Sequence, residues 1–158
     1  MFESTDSKKG LEVGDKAPYF ELLDQNGSVF KSDNVIGKQP VVLYFYPKDD
    51  TPGCTKQACK FRDEFEAFSD LNVTVIGISK DSVASHKEFE EKYQLPFTLL
   101  ADVKNEVRKL FGVPKAALGM FPGRVTYIIG ADGVIQYIFE DMMHAEKHIE
   151  VALKFFRG

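Results

Sequence analysis

The two cysteines of this 158-residue chain, Cys54 and Cys59, lie in one short segment and are the residues best suited to redox or nucleophilic chemistry. Residues 47–53, just before Cys54, are rich in Pro, Asp, Thr and Gly, which is typical of a turn. An apolar run over residues 41–46 precedes the turn and an amphipathic stretch follows it, so we predict a strand, a turn and a helix. Cys54 then lies in the first helical turn, where free N–H groups and the helix dipole favour the nucleophilic thiolate.

The spacing Pro47-x3-Thr51-x2-Cys54 resembles the active-site motif of the peroxiredoxins. The second cysteine, five positions later, is similar to that of the Q type, also called the bacterioferritin comigratory protein subfamily. The resemblance extends over residues 13–156 and includes the segments Phe45-Tyr46-Pro47-Lys48, Gly77-Ile78-Ser79, Ser85-His86-Lys87, Leu95-Pro96-Phe97 and Pro122-Gly123-Arg124-Val125-Thr126-Tyr127. It implies a thiol-dependent peroxidase that acts on hydrogen peroxide and organic hydroperoxides and needs no metal, haem or flavin cofactor.

Matching the family motif residue by residue implies the roles of the site residues. Cys54 would be the peroxidatic nucleophile, and the hydroxyl of Thr51 would orient the peroxide because it can donate and accept hydrogen bonds at once. Pro47 would wall the pocket and limit the access of water to the sulfenic acid. Arg124 would set a permanently charged fork against the thiolate and the leaving oxygen, and Gly53 would join Thr51 and Arg124 in binding substrate.

Each of these residues also has a purely structural interpretation. An isolated cysteine such as Cys54 is often a small, inert core residue, and Thr51 could cap the helix. Pro47 could end the strand, and Arg124 could be an ordinary surface arginine. The motif favours the catalytic interpretation.

Two other arginines are weaker candidates for the cation of the site. Arg62 is eight residues beyond Cys54, which puts it about 12 Å further along the helix axis. Arg108 belongs to a charged segment that we predict to be a surface helix, and it has no motif support. The three histidines, His86, His144 and His148, are expected to be solvated or structural.

Cys59 fits the resolving role that the resemblance implies. In an intact helix, Cα atoms five residues apart are about 8.7 Å from each other and face directions about 140° apart. A disulfide requires Cα atoms within about 7 Å. A Cys54–Cys59 bond therefore requires the start of the helix to unwind, and an outside dithiol, such as thioredoxin or a related protein, must then reduce it.

The rest of the chain has turn and helix signals that predict an α/β fold. Asn26-Gly27 lies between apolar residues 17–23 and 28–30, which indicates a β-hairpin. Further predicted elements are strands over 41–46, 71–78 and 97–100, helices over 53–68, 82–93, 106–111 and 146–156, and a hairpin over 124–129 and 134–139. This order predicts a mixed sheet flanked by helices, which matches the thioredoxin-like fold with an added N-terminal hairpin that the resemblance implies.

Bulk composition narrows the organisation and the partners. The chain is 44% hydrophobic, which is enough for one compact core at this length. We therefore expect a single domain over residues 11–158 after a flexible tail over residues 1–10. The formal net charge of -4 and the absence of a basic block argue against nucleic acid, and no apolar run is long enough to span a membrane. We expect a monomer in the bacterial cytoplasm, or alternatively in a plastid if a transit peptide has been removed.

Three other interpretations of the cysteine pair compete with the peroxidase. A thiol–disulfide oxidoreductase or chaperone of the same fold typically uses Cys-x-x-Cys, whereas the gap here is wider. A non-catalytic redox sensor or partner-binding module would use the same sulfenic acid as a signal, and only rapid, reductant-coupled turnover separates it from an enzyme. A structural zinc site is disfavoured because no second Cys or His pair completes the ligand set.

Overall fold

The computed structural model describes residues 10–116 and 121–158, and the predicted tail lies outside the described residues except for Gly10. The strands are β1 (Glu21–Asp24), β2 (Val29–Lys31), β3 (Val41–Phe45), β4 (Thr74–Ser79), β5 (Thr98–Ala101), β6 (Lys115–Ala116), β7 (Phe121–Pro122), β8 (Val125–Ile129) and β9 (Ile135–Glu140). The helices are α1 (Pro52–Asp63), α2 (Phe65–Asp70), α3 (Val83–Tyr93), α4 (Glu106–Phe111) and α5 (Lys147–Arg157). A short 3-10 helix covers Ser32–Asn34.

Seven of the strands form one mixed sheet in the order β2-β1-β5-β4-β3-β8-β9. The strands β3, β4 and β5 are parallel, whereas β8 runs antiparallel to β3 and β1 runs antiparallel to β5. The predicted hairpins are present as β1–β2 and β8–β9. The predicted fold class, a mixed central sheet flanked by helices, is therefore confirmed.

The strand before the cysteine segment, β3, is central because it is apolar on both faces. All five of its residues are buried, and alternate residues enter two separate core clusters, as the two-residue period of a strand requires. Val42 and Tyr44 join the cluster that contains α1, α2, α3 and α5, and Leu43 and Phe45 join the cluster that contains α4. The strand is thereby fixed on both sides, and its carboxyl end carries the turn that leads to Cys54.

Some predicted element bounds are wrong. The helix expected over residues 53–68 is two helices, because the backbone at Glu64 leaves the helical region with φ −101° and ψ 10°. The second strand begins at Thr74 rather than residue 71, because Asn72 adopts the left-handed conformation with φ 60° and ends the preceding turn. The two-residue ladder of β6 and β7 was not predicted.

The other helices agree closely with the sequence. Ser82 caps α3, and its hydroxyl oxygen accepts a hydrogen bond of 3.1 Å from the Ser85 amide. The helix α4 has the predicted bounds, and α5 is shifted by one residue. Among the helices of the described residues, none has the length and apolar character needed to cross a membrane.

Candidate active site

Cys54 is the third residue of α1 and only 1% of its surface is exposed. Thr51 is the N-cap residue and Pro52 is the first helical residue, a position where the missing proline N–H removes no helical hydrogen bond. The helix therefore begins where the turn signals predicted. The thiol of Cys54 lies within the positive end of α1 and is packed against the core cluster on that side of the sheet.

The Thr51 side chain does not cap the helix, although the residue occupies the N-cap position. Its hydroxyl donates a hydrogen bond of 2.8 Å to the carbonyl oxygen of Lys48 instead. This bond uses the only proton of the hydroxyl and leaves its oxygen lone pairs as acceptors. The capping interpretation of Thr51 is therefore wrong for the side chain.

One cavity of about 590 Å³ brings together the predicted site residues other than Cys59. Pro47, Thr51, Gly53, Cys54 and Arg124 all line it. The cavity is also lined by residues that sequence reasoning did not select, namely Lys48, Lys80, Asp81, Pro122 and Met142. Lys48 and Pro122 belong to segments that resemble the family, whereas Lys80, Asp81 and Met142 belong to none of those segments and reach the cavity through the fold, from the ends of β4 and β9.

Arg124 is buried at the start of β8, so its interpretation as an ordinary surface arginine is wrong. Its Nε donates to the carbonyl oxygen of Met142 at 3.2 Å, and its Nη1 donates to Oε1 of Gln57 at 2.5 Å. Its Nη2 faces the first turn of α1, 2.9 Å from where a Cβ on residue 53 would lie. Glycine at position 53 is thus what allows the guanidinium to approach the backbone beside Cys54.

Gln57 is a site residue that the sequence analysis missed. It is fully buried, and it is three positions after Cys54 on α1, so it lies on the same face of the helix as the thiol. That spacing, together with a polar side chain on a face predicted to be buried, could have identified it. Its amide oxygen orients the guanidinium of Arg124.

A cluster of polar side chains around Asp49 holds the loop between β3 and α1 in place. The carboxylate of Asp49 accepts hydrogen bonds from the Tyr46 hydroxyl at 2.6 Å and from the Ser85 hydroxyl at 2.8 Å. Nδ1 of His86 lies 2.7 Å from the same carboxylate, and the amide of Asp49 donates to Asp81 at 2.8 Å. The loop that carries Pro47 and Thr51 is therefore tied to α3 and to the end of β4.

Asp49, Asp81 and His86 also form a group that could hold a metal ion by proximity, since their ligand atoms lie within 4.8 Å of one another. Their hydrogen bonds argue for a different role. Nε2 of His86 lies 2.9 Å from the carbonyl oxygen of Leu100, and the Asp81 carboxylate accepts a 2.6 Å bond from Ser79. The candidate ligand atoms are already paired within the protein, so this group is a hydrogen-bond network that supports the loop.

Cys59 is half-buried on α1, five residues after Cys54, and both cysteines are free thiols. Burial raises the pKa of the Cys59 thiol, while the nearby charge of Arg62 acts in the opposite direction. Cys59 is therefore mostly in the thiol form at neutral pH in the folded state. The thiol is less nucleophilic than the thiolate.

The expectation for Arg62 is confirmed. Its Nη1 donates to the carbonyl oxygen of Tyr93 at 2.8 Å and its Nε pairs with Asp63, so it does not line the Cys54 cavity.

The expectation that Arg108 lies in a surface helix is wrong. Only 6% of Arg108 is exposed, and its guanidinium donates to the carbonyl oxygens of Gly123 at 2.9 Å and Tyr46 at 3.0 Å. A weak signal of this burial is present in the sequence, because Val107 and Phe111 mark the buried face of α4 and Arg108 is adjacent to them on the helix.

The histidines are structural or solvated, as expected. His86 and His148 are fully buried, and the side chain of His144 is exposed. Nε2 of His148 donates to the carbonyl oxygen of Asp141 at 2.7 Å, and its Nδ1 lies 2.8 Å from the Thr126 hydroxyl. Burial lowers the pKa of His148 to about 4, so its imidazole is neutral at pH 7.

Comparison with known proteins agrees with the geometry. The AhpC/TSA family profile matches residues 13–138. A putative chloroplastic peroxiredoxin Q of Oryza sativa subsp. indica is 53% identical over 144 residues, covering 91% of this chain and 66% of the rice protein. The chloroplastic peroxiredoxin Q of Arabidopsis thaliana is 52% identical over 160 residues, covering 98% of this chain and 74% of that protein.

Solved structures show the same fold. The peroxidoxin BcpB of Mycobacterium tuberculosis superimposes with a TM-score of 0.85 at 34% identity, covering 93% of this chain and 97% of that one. A mutant of PrxQ from Xylella fastidiosa superimposes with a TM-score of 0.82 at 27% identity, covering 94% and 98% of the two chains. The chain spans slightly less than two thirds of the length of the rice relative. The match over residues 13–138 and the identity of about half with the plant proteins show that the chain belongs to the AhpC/TSA family, and they confirm its resemblance to the peroxiredoxins of the Q type.

Proposed function

We propose that this chain is a thiol-dependent peroxidase that reduces hydrogen peroxide and organic hydroperoxides at Cys54. The observation that carries the proposal is the cavity in which a buried thiol at a helix start meets the hydroxyl of Thr51 and the guanidinium of Arg124. Cleavage of an O–O bond by a thiolate requires a nucleophile, a group that orients the peroxide and positive charge near the leaving oxygen. Cys54 can supply the nucleophile, Thr51 the orienting group and Arg124 the positive charge.

In the first step, the sulfur of Cys54 attacks one peroxide oxygen. An S–O bond forms while the O–O bond breaks, and the electron pair leaves with the other oxygen, which takes up a proton to give an alcohol or water. Cys54 is oxidised by two electrons to the sulfenic acid and the peroxide is reduced. Because the Thr51 proton is donated to Lys48, the hydroxyl oxygen can accept a hydrogen bond from the peroxide O–H.

Arg124 and Pro47 would support this step in different ways. The buried guanidinium of Arg124 faces the first turn of α1, where its charge stabilises the thiolate and the developing negative charge on the leaving oxygen. Pro47 has no N–H group and contributes an apolar wall of the cavity beside Cys54, which limits water around the sulfenic acid.

In the second step, we propose that the Cys59 thiol attacks the sulfenic sulfur of Cys54. An S–S bond forms, water leaves, and the product is a disulfide within one chain. Two further electrons from a dithiol, such as thioredoxin or a related protein, then return both cysteines to thiols. Because the bond forms within one chain, the cycle needs no second subunit, and we propose that the protein acts as a monomer.

The names of the plant relatives bear on the compartment. Both the rice and the Arabidopsis proteins are described as chloroplastic, which supports the plastid alternative rather than the bacterial cytoplasm. We therefore propose that the chain acts in a plastid.

The test of the function is peroxide consumption in the presence of thioredoxin, thioredoxin reductase and NADPH, with wild type beside Cys54→Ser. We expect steady turnover by the wild type and none by Cys54→Ser, with an unchanged circular dichroism spectrum, because a serine hydroxyl is not ionised at neutral pH. Most of the wild-type activity remaining in Cys54→Ser would overturn the assignment. Oxidation of wild-type Cys54 without turnover by any dithiol would favour the redox sensor.

A further inference from the structure

Arg108 is a buried cation that the mechanism above does not use. It belongs to α4, and Asp102, four residues before the start of that helix, holds its backbone in place. The Asp102 carboxylate accepts hydrogen bonds from the amides of Val107 at 3.1 Å and Arg108 at 2.9 Å. The guanidinium then lies over the ring of Phe45, with 5.6 Å between its central carbon and the ring centroid.

The two hydrogen bonds of the Arg108 guanidinium are accepted by carbonyl oxygens on opposite sides of the cavity. Its Nη2 donates to the carbonyl oxygen of Tyr46, the residue before Pro47, at 3.0 Å. Its Nη1 donates to the carbonyl oxygen of Gly123, the residue before Arg124, at 2.9 Å. We propose that Arg108 is a positioning residue, which sets the distance between the Pro47 side and the Arg124 side of the site by bridging these two carbonyls.

The sheet itself does not fix this distance. Pairing between β3 and β8 ends at Phe45 and Val125, and beyond that pair Pro47 on one side and Arg124 on the other line the cavity. Tyr46 remains bonded to β4 through its amide, and Gly123 precedes β8. A planar guanidinium has donors in a fixed geometry, so it can hold two carbonyls at one separation, which a single ammonium group cannot do.

Burying Arg108 is costly, which argues against a role in stability alone. Burial lowers the pKa of its guanidinium, and the negative charge of Asp102 acts in the opposite direction. Apolar side chains commonly replace buried charged groups with equal or greater stability, so a core position that only needed filling would be better served by leucine or methionine.

The experiment compares two reactions that both consume the Cys54 thiolate but differ in the geometry that they require of the surrounding residues. Oxidation by hydrogen peroxide needs Thr51 and Arg124 correctly spaced about the O–O bond, whereas alkylation by iodoacetamide needs only the thiolate. Both rates are followed by quenching and mass spectrometry in wild type, Arg108→Lys and Lys109→Met. Lys109 is the exposed neighbour of Arg108 on α4 and provides the control.

We expect Arg108→Lys, which keeps the charge and loses the fork, to lower the ratio of oxidation to alkylation by roughly 10- to 100-fold, as misplacement of a site by about an ångström does. Lys109→Met should match the wild type. A ratio in Arg108→Lys within twofold of wild type, or a parallel fall of both rates, would overturn the proposal.

A second variant covers the case in which Arg108→Lys does not fold. Asp102→Asn weakens the hold on the Arg108 backbone at a distance from the cavity, and we expect a smaller fall in the same ratio; an unchanged ratio overturns the proposal. The inference rests on the proposed role of Cys54, and the wild-type arm tests that role separately. Wild-type Cys54 that does not react with peroxide overturns both, while normal wild-type oxidation with unchanged variants overturns only the role of Arg108.

Discussion

At the scale of single residues, the guanidinium of Arg124 is fixed by three different parts of the chain. Met142, after β9, accepts from its Nε, and Gln57, on α1, accepts from its Nη1. Gly53 gives it room beside the backbone of the first helical turn. A long side chain that is oriented in advance loses little freedom in the transition state, which is the condition under which a cation stabilises developing charge most strongly.

The importance of this preorganised cation can be measured against a matched arginine. We predict that Arg124→Met slows oxidation of Cys54 by about 2–4 kcal/mol in activation free energy, or roughly 30- to 800-fold, because it removes a preorganised donor. Arg62→Met should remain close to the wild type, since Arg62 bonds to Tyr93 and Asp63 away from the cavity. Stopped-flow mixing with peroxide followed by quenching and mass spectrometry gives both rates, and equal losses in the two variants would show that Arg124 is the wrong arginine.

The site residues that could be predicted from the sequence are those recognised by their spacing from nearby residues. The residues that were missed acquire their role through tertiary contacts. Pro47, Thr51 and Cys54 lie within eight consecutive residues, and their types and spacing are visible in the sequence. Arg108 is visible only as a charged residue in a short helix, and its burial follows from the packing of α4 against the sheet. Charge in a sequence predicts exposure on average, and it fails where carbonyl groups inside the fold can pair with the charge.

At the scale of elements, the start of α1 and the loop before it differ in how firmly they are held. Asp49 is tied to α3 and β4 by the network described above. Asp50 adopts the left-handed conformation with φ 58°, and its carboxylate accepts hydrogen bonds from Tyr93 at 2.7 Å and Lys92 at 2.8 Å. These two bonds lower the pKa of Asp50. The loop is thus anchored on α3, and unwinding of α1 can begin after Thr51 without releasing the loop.

We predict that oxidation forms an internal Cys54–Cys59 disulfide and melts the start of α1. Helical geometry holds the two Cα atoms about 8.7 Å apart, beyond the reach of a disulfide, so the bond and the intact helix exclude each other. Hydrogen exchange followed by mass spectrometry should show residues 54–60 losing amide protection on oxidation, while β3 and β4 keep theirs.

Cys59→Ser is the control for this structural change. It should consume one equivalent of peroxide, keep the protection of α1, stall with thioredoxin and over-oxidise more readily, because no second thiol traps the sulfenic acid. A covalent dimer as the main oxidised product of the wild type, or a protected helix that contains the bond, would contradict the prediction.

At the scale of the whole molecule, the order of elements and the central position of β3 could be predicted because both depend on patterns of short range. An unbroken apolar run such as residues 41–46 is expected for a strand covered on both faces, and Asn-Gly and Asp-Gly mark the two hairpins. The break at Glu64 could not be predicted, since no Gly or Pro near it marks the end of a helix. It arises where the chain turns to bring Phe68 into the core beside Phe61.

The stability of the whole molecule should depend on pH between about pH 4 and 6.5, and the buried His148 should contribute strongly to this dependence. Burial lowers the pKa of His148 to about 4, while an unfolded histidine has a pKa near 6.5. Below pH 6.5 the unfolded chain therefore binds a proton that the folded chain does not. The stabilisation is complete above pH 6.5 and is lost as the pH falls toward 4, by about 3 kcal/mol in total.

We predict that the free energy of unfolding, measured by urea titration at intervals from pH 7 to pH 4, falls more steeply in the wild type than in His148→Gln. His144→Gln, which removes an exposed histidine paired with Asp141, should change the slope less than His148→Gln does. Parallel slopes in the wild type and His148→Gln would contradict the prediction.

Protonation of His148 should also affect the active site. Nε2 of His148 donates to the carbonyl of Asp141, and the next carbonyl, of Met142, accepts from Arg124. Protonation of Nδ1 would end its role as acceptor for Thr126, so acid should loosen the turn that orients the guanidinium before the sheet unfolds.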